Sequence, residues 1–351
     1  MLWGLLALSI VVYILCRVSV SFADFYNQYP GAFVRAILAY MTNLLPISLA
    51  EICIILAPAA VVFIGVYAYR HRKKEMFSAV RFFICIITCA SYFLSIFVVG
   101  YGCGYHGSTL DVKMGLTKKD VAPKELEDTA EWLATEVAGL TDSIEFEEES
   151  FSKMPYSFSE MNNKLLDAYD KVCEKYDFIQ KLYSRVKPVM LSEAMSYTHI
   201  TGVYTYFTGE ANVNVDFPDY TIPFTTAHEL AHQRGIARED EANFVAFLVC
   251  INSDDPYIRY SGYLNMFDYV SPKLRAQKEE YKRVYAILPI EVQYERYAYS
   301  EFFKKYQDSV AGQVSESVNN SYLQMQGTVG TISYGMVVDL TVAYYKSGNA
   351  K

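Results

Sequence analysis

Three long apolar runs in the first hundred residues constrain this chain more than any other feature of its sequence. They cover residues 2–21, 52–69 and 82–101. A helix needs about 20 apolar residues to cross a bilayer, and each run is close to that length. Arg17 is the only charged residue within these three runs. The sequence therefore predicts three N-terminal transmembrane helices within residues 1–105, with the lipid bilayer as their partner.

Basic residues predict the orientation of these helices. A cluster of them lies in the short loop between the second and third runs: Arg70, Arg72, Lys73, Lys74 and Arg81. The loop between the first and second runs holds only Arg35. Because basic loops stay in the cytoplasm, we expect a multi-pass protein of the cell membrane whose residues 106–351 form an extracytoplasmic domain. Residues 31–49 are expected either to lie in the membrane interface or to pack on the spans.

The chain after the third run has the composition of a soluble domain. Pro123 begins a helical pattern that continues to about Leu140, and a second helix is expected over 159–185. Short β-rich segments follow, and residues 225–346 are mostly helical in pattern. This order predicts an α+β fold, a mostly helical domain with a small sheet. The net charge of −8 argues against nucleic acid as a partner.

The segment His228-Glu229-Leu230-Ala231-His232 carries the chemistry of the chain. His228 and His232 are four residues apart, so on a helix they share one face and can bind a single Zn²⁺. Glu229 points elsewhere on that helix but can reach a water bound to the metal. The segment therefore predicts a zinc site in which Glu229 acts as the general base that deprotonates a zinc-activated water.

A catalytic zinc site needs a third protein ligand, and the acidic residues that follow the motif are the candidates. Glu239 lies on a helix face that continues with small residues, whereas Glu241 lies on one that continues with Phe244, Val245 and Leu248. A face of small residues lets the second helix approach the alanines of the first. We therefore expect Glu239 to be the ligand, with Glu241 as the alternative.

The motif resembles that of the gluzincins, zinc peptidases with HExxH on one helix and a glutamate on the next. Their second motif, ExxA followed by Asp or Asn, is similar to Glu239-Asp240-Glu241-Ala242-Asn243 and also favours Glu239. Nearly the whole chain resembles a bacterial family of membrane proteins catalogued as a domain of unknown function. That resemblance is carried by five segments: residues 207–214, HELAHQ at 228–233, REDEAN at 238–243, residues 260–263 and residues 333–335. It implies a zincin-like fold, but no substrate.

Further site residues follow from the gluzincin resemblance. In gluzincins the strand before the metal helix binds an extended substrate, which here points to Glu210, Asn212 and Asn214. These three alternate along one strand, and a polar, solvent-facing side is the alternative interpretation. A donor to the developing oxyanion is also expected. The resemblance offers Tyr260, Tyr263 and Tyr334, and we take Tyr260 and Tyr334 as the candidates.

The function that fits these features best is a membrane-anchored zinc metallopeptidase that hydrolyses peptide or protein substrates. The alternative is a zinc-binding sensor or binding module with a peptidase-like fold and little turnover. An intramembrane peptidase is excluded because charged residues flank the motif on both sides. The spacing of Cys173 and Cys250 leaves open whether the two residues form a disulfide.

Overall fold

A computed structural model describes residues 2–71, 78–330 and 336–349 of the 351-residue chain. It is mostly helical with one three-stranded sheet, as the predicted α+β class requires. The helices of the N-terminal part are α1 (Leu2–Val18), α2 (Val20–Tyr26), α3 (Ala32–Asn43), α4 (Leu49–His71) and α5 (Ser78–Gly100).

Two described helices, not three, are long and apolar enough to cross a membrane: Leu49–Arg70 within α4 and Phe82–Gly100 within α5. The prediction of a third span in α1 was wrong. α1 has 17 residues, so it rises only about 25 Å, against about 30 Å for the hydrocarbon core of a bilayer. The helix ends at Val18 because Ser19 has an extended backbone and its hydroxyl accepts a hydrogen bond from the Phe22 amide, which begins α2.

Residues 31–49, for which two arrangements were open, contain helix α3. One side of α3 is buried and includes Arg35 and Ala39, while Phe33 and Met41 on other sides are exposed. The buried side approaches the strand connection, where a side chain at Gly209 would lie 2.6 Å from the Leu38 Cβ atom. α3 therefore packs on the domain that follows the spans and leaves apolar side chains uncovered.

The sheet consists of β1 (Lys187–Pro188), β2 (Gly202–Thr205) and β3 (Glu210–Val213) in the order β1-β3-β2. β3 pairs parallel with β1 and antiparallel with β2, with Val203 opposite Asn212. β2 is therefore an edge strand, and the central strand contains Glu210 and Asn212, two of the three predicted substrate residues.

The remaining helices form the body of the molecule. They are α6 (Leu110–Met114), α7 (Pro123–Leu140), α8 (Phe158–Lys175), α9 (Ser192–Ser196), α10 (Ile222–Gln233), α11 (Glu239–Ile251), α12 (Pro256–Val270), α13 (Lys278–Tyr285), α14 (Ile290–Lys304), α15 (Val310–Met325) and α16 (Val337–Lys346). The limits expected for α7 are confirmed. The helix expected over 159–185 ends ten residues early, at Lys175. Beyond it Leu182, Ser184 and Val186 are buried with a period of two, which is typical of extended chain.

Buried hydrogen bonds cross the predicted domain boundary at residue 105. The Glu210 carboxylate accepts hydrogen bonds from the amides of Leu49 and Ala50 at the start of α4, at 3.0 and 2.8 Å. The Lys187 ammonium donates to the carbonyls of Thr42 and Ile47 as well as to Glu210. The two regions are thus joined by polar contacts that neither region alone would satisfy.

The cysteines in the described residues are all free, including Cys173 and Cys250. The Cys173 Sγ atom lies 3.9 Å from the Gln180 carbonyl oxygen, and Cys250 is fully buried.

Candidate metal centre

Helix α10 carries the HExxH segment, and almost the entire helix is buried. The imidazole rings of His228 and His232 lie one turn apart, with centroids 4.6 Å from each other. Pro223 occupies the first turn, so Thr225 and Thr226 are inside the helix and do not cap it. The helix ends at Gln233, and Gly235 follows with a φ of 90°, a left-handed conformation that favours glycine. This turn directs the chain back along α10.

Helix α11 begins with Glu239, and its carboxylate returns to the two histidines. The Glu239 Oε2 atom lies 3.3 Å from the Nε2 atom of His228 and 3.3 Å from the Nε2 atom of His232. The close approach of the two helices uses small side chains, as expected: Ala227 and Ala231 on α10 and Ala242 and Ala246 on α11 are all fully buried.

The geometry fits a zinc ion. Tetrahedral bonds of about 2.0–2.1 Å from one Zn²⁺ place neighbouring ligand atoms about 3.3 Å apart. The Glu239 Oε2 atom lies at this distance from the Nε2 atom of each histidine. The ligand atoms of His228, His232 and Glu239 all lie within 4.8 Å of one another, and all three residues are largely buried. Two imidazoles and one carboxylate also leave a fourth position free for water. The three residues can therefore hold one metal ion.

Glu241, the alternative ligand, is directed elsewhere. Its Oε1 atom accepts hydrogen bonds from the Leu110 amide at 2.9 Å and from the Arg238 guanidinium at 3.0 Å. The Leu110 contact holds the segment that follows the third apolar run against the start of α11. The structure thus brings Glu239, and not Glu241, to the histidine pair.

The second nitrogen of His232 is fixed by two partners. Its Nδ1 atom lies 2.7 Å from the Ile236 carbonyl oxygen and 2.9 Å from the hydroxyl of Tyr101. A carbonyl oxygen only accepts hydrogen bonds, so Nδ1 carries the proton and donates it. The Nε2 atom of the neutral ring is then free of a proton and is directed towards Glu239, as metal binding requires.

Glu229 lies beside the three ligands and is almost fully buried. Its Oε2 atom has no hydrogen-bond partner among residues 2–71, 78–330 and 336–349. Its side chain is in close contact with β2: a Cβ atom at Gly202 would lie 2.6 Å from the Glu229 Oε1 atom. A buried carboxylate with an unpaired oxygen at a metal site can accept a proton from a water molecule.

Burial and charge shift the pKa values of the four central residues in different directions. Burial raises the pKa of Glu229 from 4.5 to about 8. Burial opposes the charged form of His232, but the Glu239 carboxylate outweighs it and raises the His232 pKa to about 9. Burial also opposes the charge of Glu239, but the two histidines hold the pKa of its carboxyl well below its usual range. Burial lowers the pKa of His228. A bound dication would favour the ionised carboxylates and neutral histidines.

The residues predicted to bind substrate make structural contacts. Besides the amides of Leu49 and Ala50, Glu210 accepts a hydrogen bond from Lys187. The Asn214 amide donates to the Ser196 hydroxyl and the Ile200 carbonyl, at 3.0 and 3.2 Å. Asn212 donates to backbone carbonyls of the sheet, and its Oδ1 atom has no partner in the described chain. All three are buried, so the alternative of a solvent-facing polar side is wrong. Their substrate-binding role stays a prediction, and these contacts give it no support.

The hydroxyl of Tyr260, one of the two predicted oxyanion donors, is directed to a partner outside the triad. Tyr260 is fully buried, and its hydroxyl donates a hydrogen bond to Glu295. Tyr334 lies outside the described residues. Other tyrosines do lie near the metal ligands. Burial raises the pKa values of Tyr101, Tyr105, Tyr269 and Tyr322, and the negative charge of Glu239 is among the charges that raise them further.

Sequence reasoning missed both Tyr101 and Gly202. Tyr101 is 131 residues from His232, and in a chain with 31 tyrosines no local pattern distinguishes it. Its position at the end of the third apolar run was the only available signal, because that position places it where the spans meet the following domain. Gly202 had no signal beyond its place at the start of a β-rich segment.

Comparison with known proteins identifies the family of the chain. The family described as "Protein of unknown function (DUF3810)" matches residues 26–342, so the chain belongs to this family. No curated protein and no solved structure matches it. The expected membership in a family of unknown function is confirmed, and that description carries no activity.

Proposed function

We propose that this member of the DUF3810 family is a membrane-anchored, zinc-dependent peptidase. The observation that carries the proposal is the convergence of His228, His232 and Glu239, with ligand atoms spaced as tetrahedral zinc requires and Glu229 next to them. The role of Glu229 distinguishes a catalytic centre from a structural one. A structural zinc site uses four protein ligands and has no need for a buried, unpaired carboxylate.

The chain's own residues supply the parts of a hydrolytic site. Zinc, when bound, supplies a Lewis acid that lowers the pKa of water and polarises a peptide carbonyl. Glu229 accepts the proton of the attacking water and can pass it to the amine that leaves. β2 is an edge strand beside Glu229, so its outer side can pair with an extended peptide. The cleaved C–N bond would then lie next to the general base.

The same proposal places the peptidase site outside the cytoplasm. The start of α4 is bound by Glu210, and the end of α5 is bound by Arg35, whose guanidinium donates to the Gly100 carbonyl at 2.9 Å. Both spans therefore meet the metal-binding domain at the same end. The basic loop that joins their other ends belongs on the opposite side, which the positive-inside rule assigns to the cytoplasm.

The direct test is cleavage of a peptide library by the purified full-length chain in detergent, with new termini identified by mass spectrometry. The zinc-loaded parent should produce new termini. Glu229→Gln should retain zinc but lose at least about a hundredfold in rate, because the general base is gone while the three ligands remain. Glu241→Gln is the matched control and should cleave like the parent. Undiminished cleavage by Glu229→Gln would contradict the mechanism.

One observation favours the second candidate, a zinc-binding sensor or binding module with little turnover. His228, the most accessible of the metal ligands, has a side chain that is only 12% exposed, and Glu229 is 4% exposed. A substrate must therefore displace part of the surrounding protein to reach the metal. Zinc binding by the parent without cleavage of any library peptide would support this second function.

A further inference from the structure

We infer that Tyr101 is a positioning residue through which α5, one of the two candidate membrane spans, holds the metal ligand His232 in place. The inference rests on the proposed metal centre and goes beyond it. Tyr101 is the first residue after α5, and its hydroxyl lies 2.9 Å from the Nδ1 atom of His232. Both side chains are buried, so water does not compete for this hydrogen bond.

The hydrogen bond to the Ile236 carbonyl fixes the proton of His232 on its Nδ1 atom. The His232 Nδ1–H group donates to the Ile236 carbonyl at 2.7 Å and also to the Tyr101 oxygen. The Tyr101 hydroxyl proton is then free to donate to the Ala237 carbonyl, 3.4 Å away. Tyr101 thereby contacts both the ligand and the turn that leads from α10 to Glu239. A partner of this kind fixes the tautomer and the ring orientation of a metal-binding histidine.

A second connection holds the end of α5 at the same place, through Gly100, the residue before Tyr101. Arg35 is fully buried, and its guanidinium donates to the carbonyls of Gly100 and Asn27. The same group reaches the Arg234 carbonyl at 3.5 Å. It also occupies the space at Gly235, where a side chain would lie 2.4 Å from the guanidinium. The last turn of α5 and the last turn of α10 therefore share one buried cation, beside the Tyr101 contact.

The ring of Tyr101 also packs directly on the ligand. Its centroid lies 6.0 Å from that of His232 in an edge-to-face arrangement and 5.3 Å from that of Tyr204. Tyr204 offers a matched control, because its buried hydroxyl has no hydrogen-bond partner among the described residues. Removing the hydroxyl from Tyr101 or from Tyr204 therefore changes the same aromatic cluster by one oxygen atom. Only the change at Tyr101 removes a partner of His232.

The experiment compares zinc affinity in the full-length parent, Tyr101→Phe and Tyr204→Phe, purified in detergent and titrated against a competing chelator. Tyr101→Phe should weaken zinc binding by about 10- to 100-fold, the range usual for lost partners of metal-binding histidines. Tyr204→Phe should stay within about twofold of the parent. The visible absorption bands of bound Co²⁺ should shift in Tyr101→Phe alone, because only there does the orientation of His232 change.

Each other outcome has a distinct meaning. If the parent binds no metal, the proposed function fails, and the inference fails with it. If the parent binds zinc and Tyr101→Phe binds it equally well, only the inference is overturned. A lower melting temperature of Tyr101→Phe, both with zinc and with chelator, would show that the hydroxyl stabilises the fold. That result would also overturn the inference.

Discussion

At the scale of single residues, Glu229 is a carboxyl group held almost entirely away from water. Its neighbours include β2, whose Gly202 leaves room for it, and the three metal ligands. Burial raises its pKa to about 8, because the charged form loses its hydration and gains few hydrogen bonds in return. A bound dication would favour the ionised carboxylate, which is the form that accepts a proton.

The raised pKa of Glu229 predicts how the stability of the metal-free protein depends on pH. The folded state binds this proton more tightly than the unfolded state, so the free energy of unfolding falls as pH rises from about 4.5 towards about 8. Glu229→Gln removes this dependence. Its advantage in unfolding free energy over the parent should grow from near zero at about pH 4 to on the order of a few kcal/mol at about pH 8.

This pH dependence is checked by denaturant unfolding of both proteins at several pH values, with chelator present. Other titrating groups are common to both proteins, but the charge of Glu229 also raises the pKa of His232, so the pH-dependent difference reports on this pair of residues together. If the unfolding free energy of Glu229→Gln exceeds that of the parent by the same amount at every pH, Glu229 ionises normally, contrary to its buried position.

At the scale of secondary-structure elements, the metal centre depends on two close approaches. α10 and α11 approach each other through alanines, so that the first residue of α11 reaches both histidines of α10. β2 approaches α10 through Gly202, so that an edge strand lies against the general base. The first approach was predictable from the small residues on the Glu239 face. The second was not, because it joins residues that share no local pattern.

Gly202→Ala tests the approach of β2 to α10. The added Cβ atom would lie 2.6 Å from the Glu229 Oε1 atom and 2.7 Å from its Cγ atom, so Glu229 or the strand must move. We expect zinc binding to persist, peptide cleavage to fall at least about tenfold, and stability to fall by roughly 1–3 kcal/mol.

The measurements for Gly202→Ala are zinc content, cleavage rate and denaturant unfolding. Gly139→Ala in α7 is the control, because nothing lies within 4 Å of its added Cβ atom and alanine favours a helix more than glycine does. It should keep full activity and gain about 0.5–1 kcal/mol. Equal cleavage rates in the two variants would contradict the proposed contact between β2 and Glu229.

At the scale of the whole molecule, the patterns that succeeded were local. The helical spacing of the histidines, the acidic turn after Gly235 and two of the three apolar runs predicted the corresponding elements. The errors concern helices that end inside a pattern that continues. Ser19 ends α1 within an apolar run, and α8 ends at Lys175 because the following chain is extended and packs as such.

Contacts between residues far apart in the sequence cross the predicted division at residue 105. Composition changes there, but Glu210 binds residues 161 and 160 positions earlier in the chain, and Tyr101 contacts a ligand 131 positions later. A fragment that begins after residue 105 would lack three of the partners of Glu210 and His232, namely Leu49, Ala50 and Tyr101. Tests of the metal centre therefore require the full chain.

The central claim is tested most directly by the metal content of the purified full-length chain in detergent, measured for the parent and three variants. The parent should hold about one zinc per chain. His228→Ala and Glu239→Gln should lose most of it, because each removes a ligand. Glu241→Gln should keep it, since Glu241 binds Leu110 and Arg238 instead. A folded parent without any divalent metal, or a Glu239→Gln variant that holds as much zinc as the parent, would contradict the account.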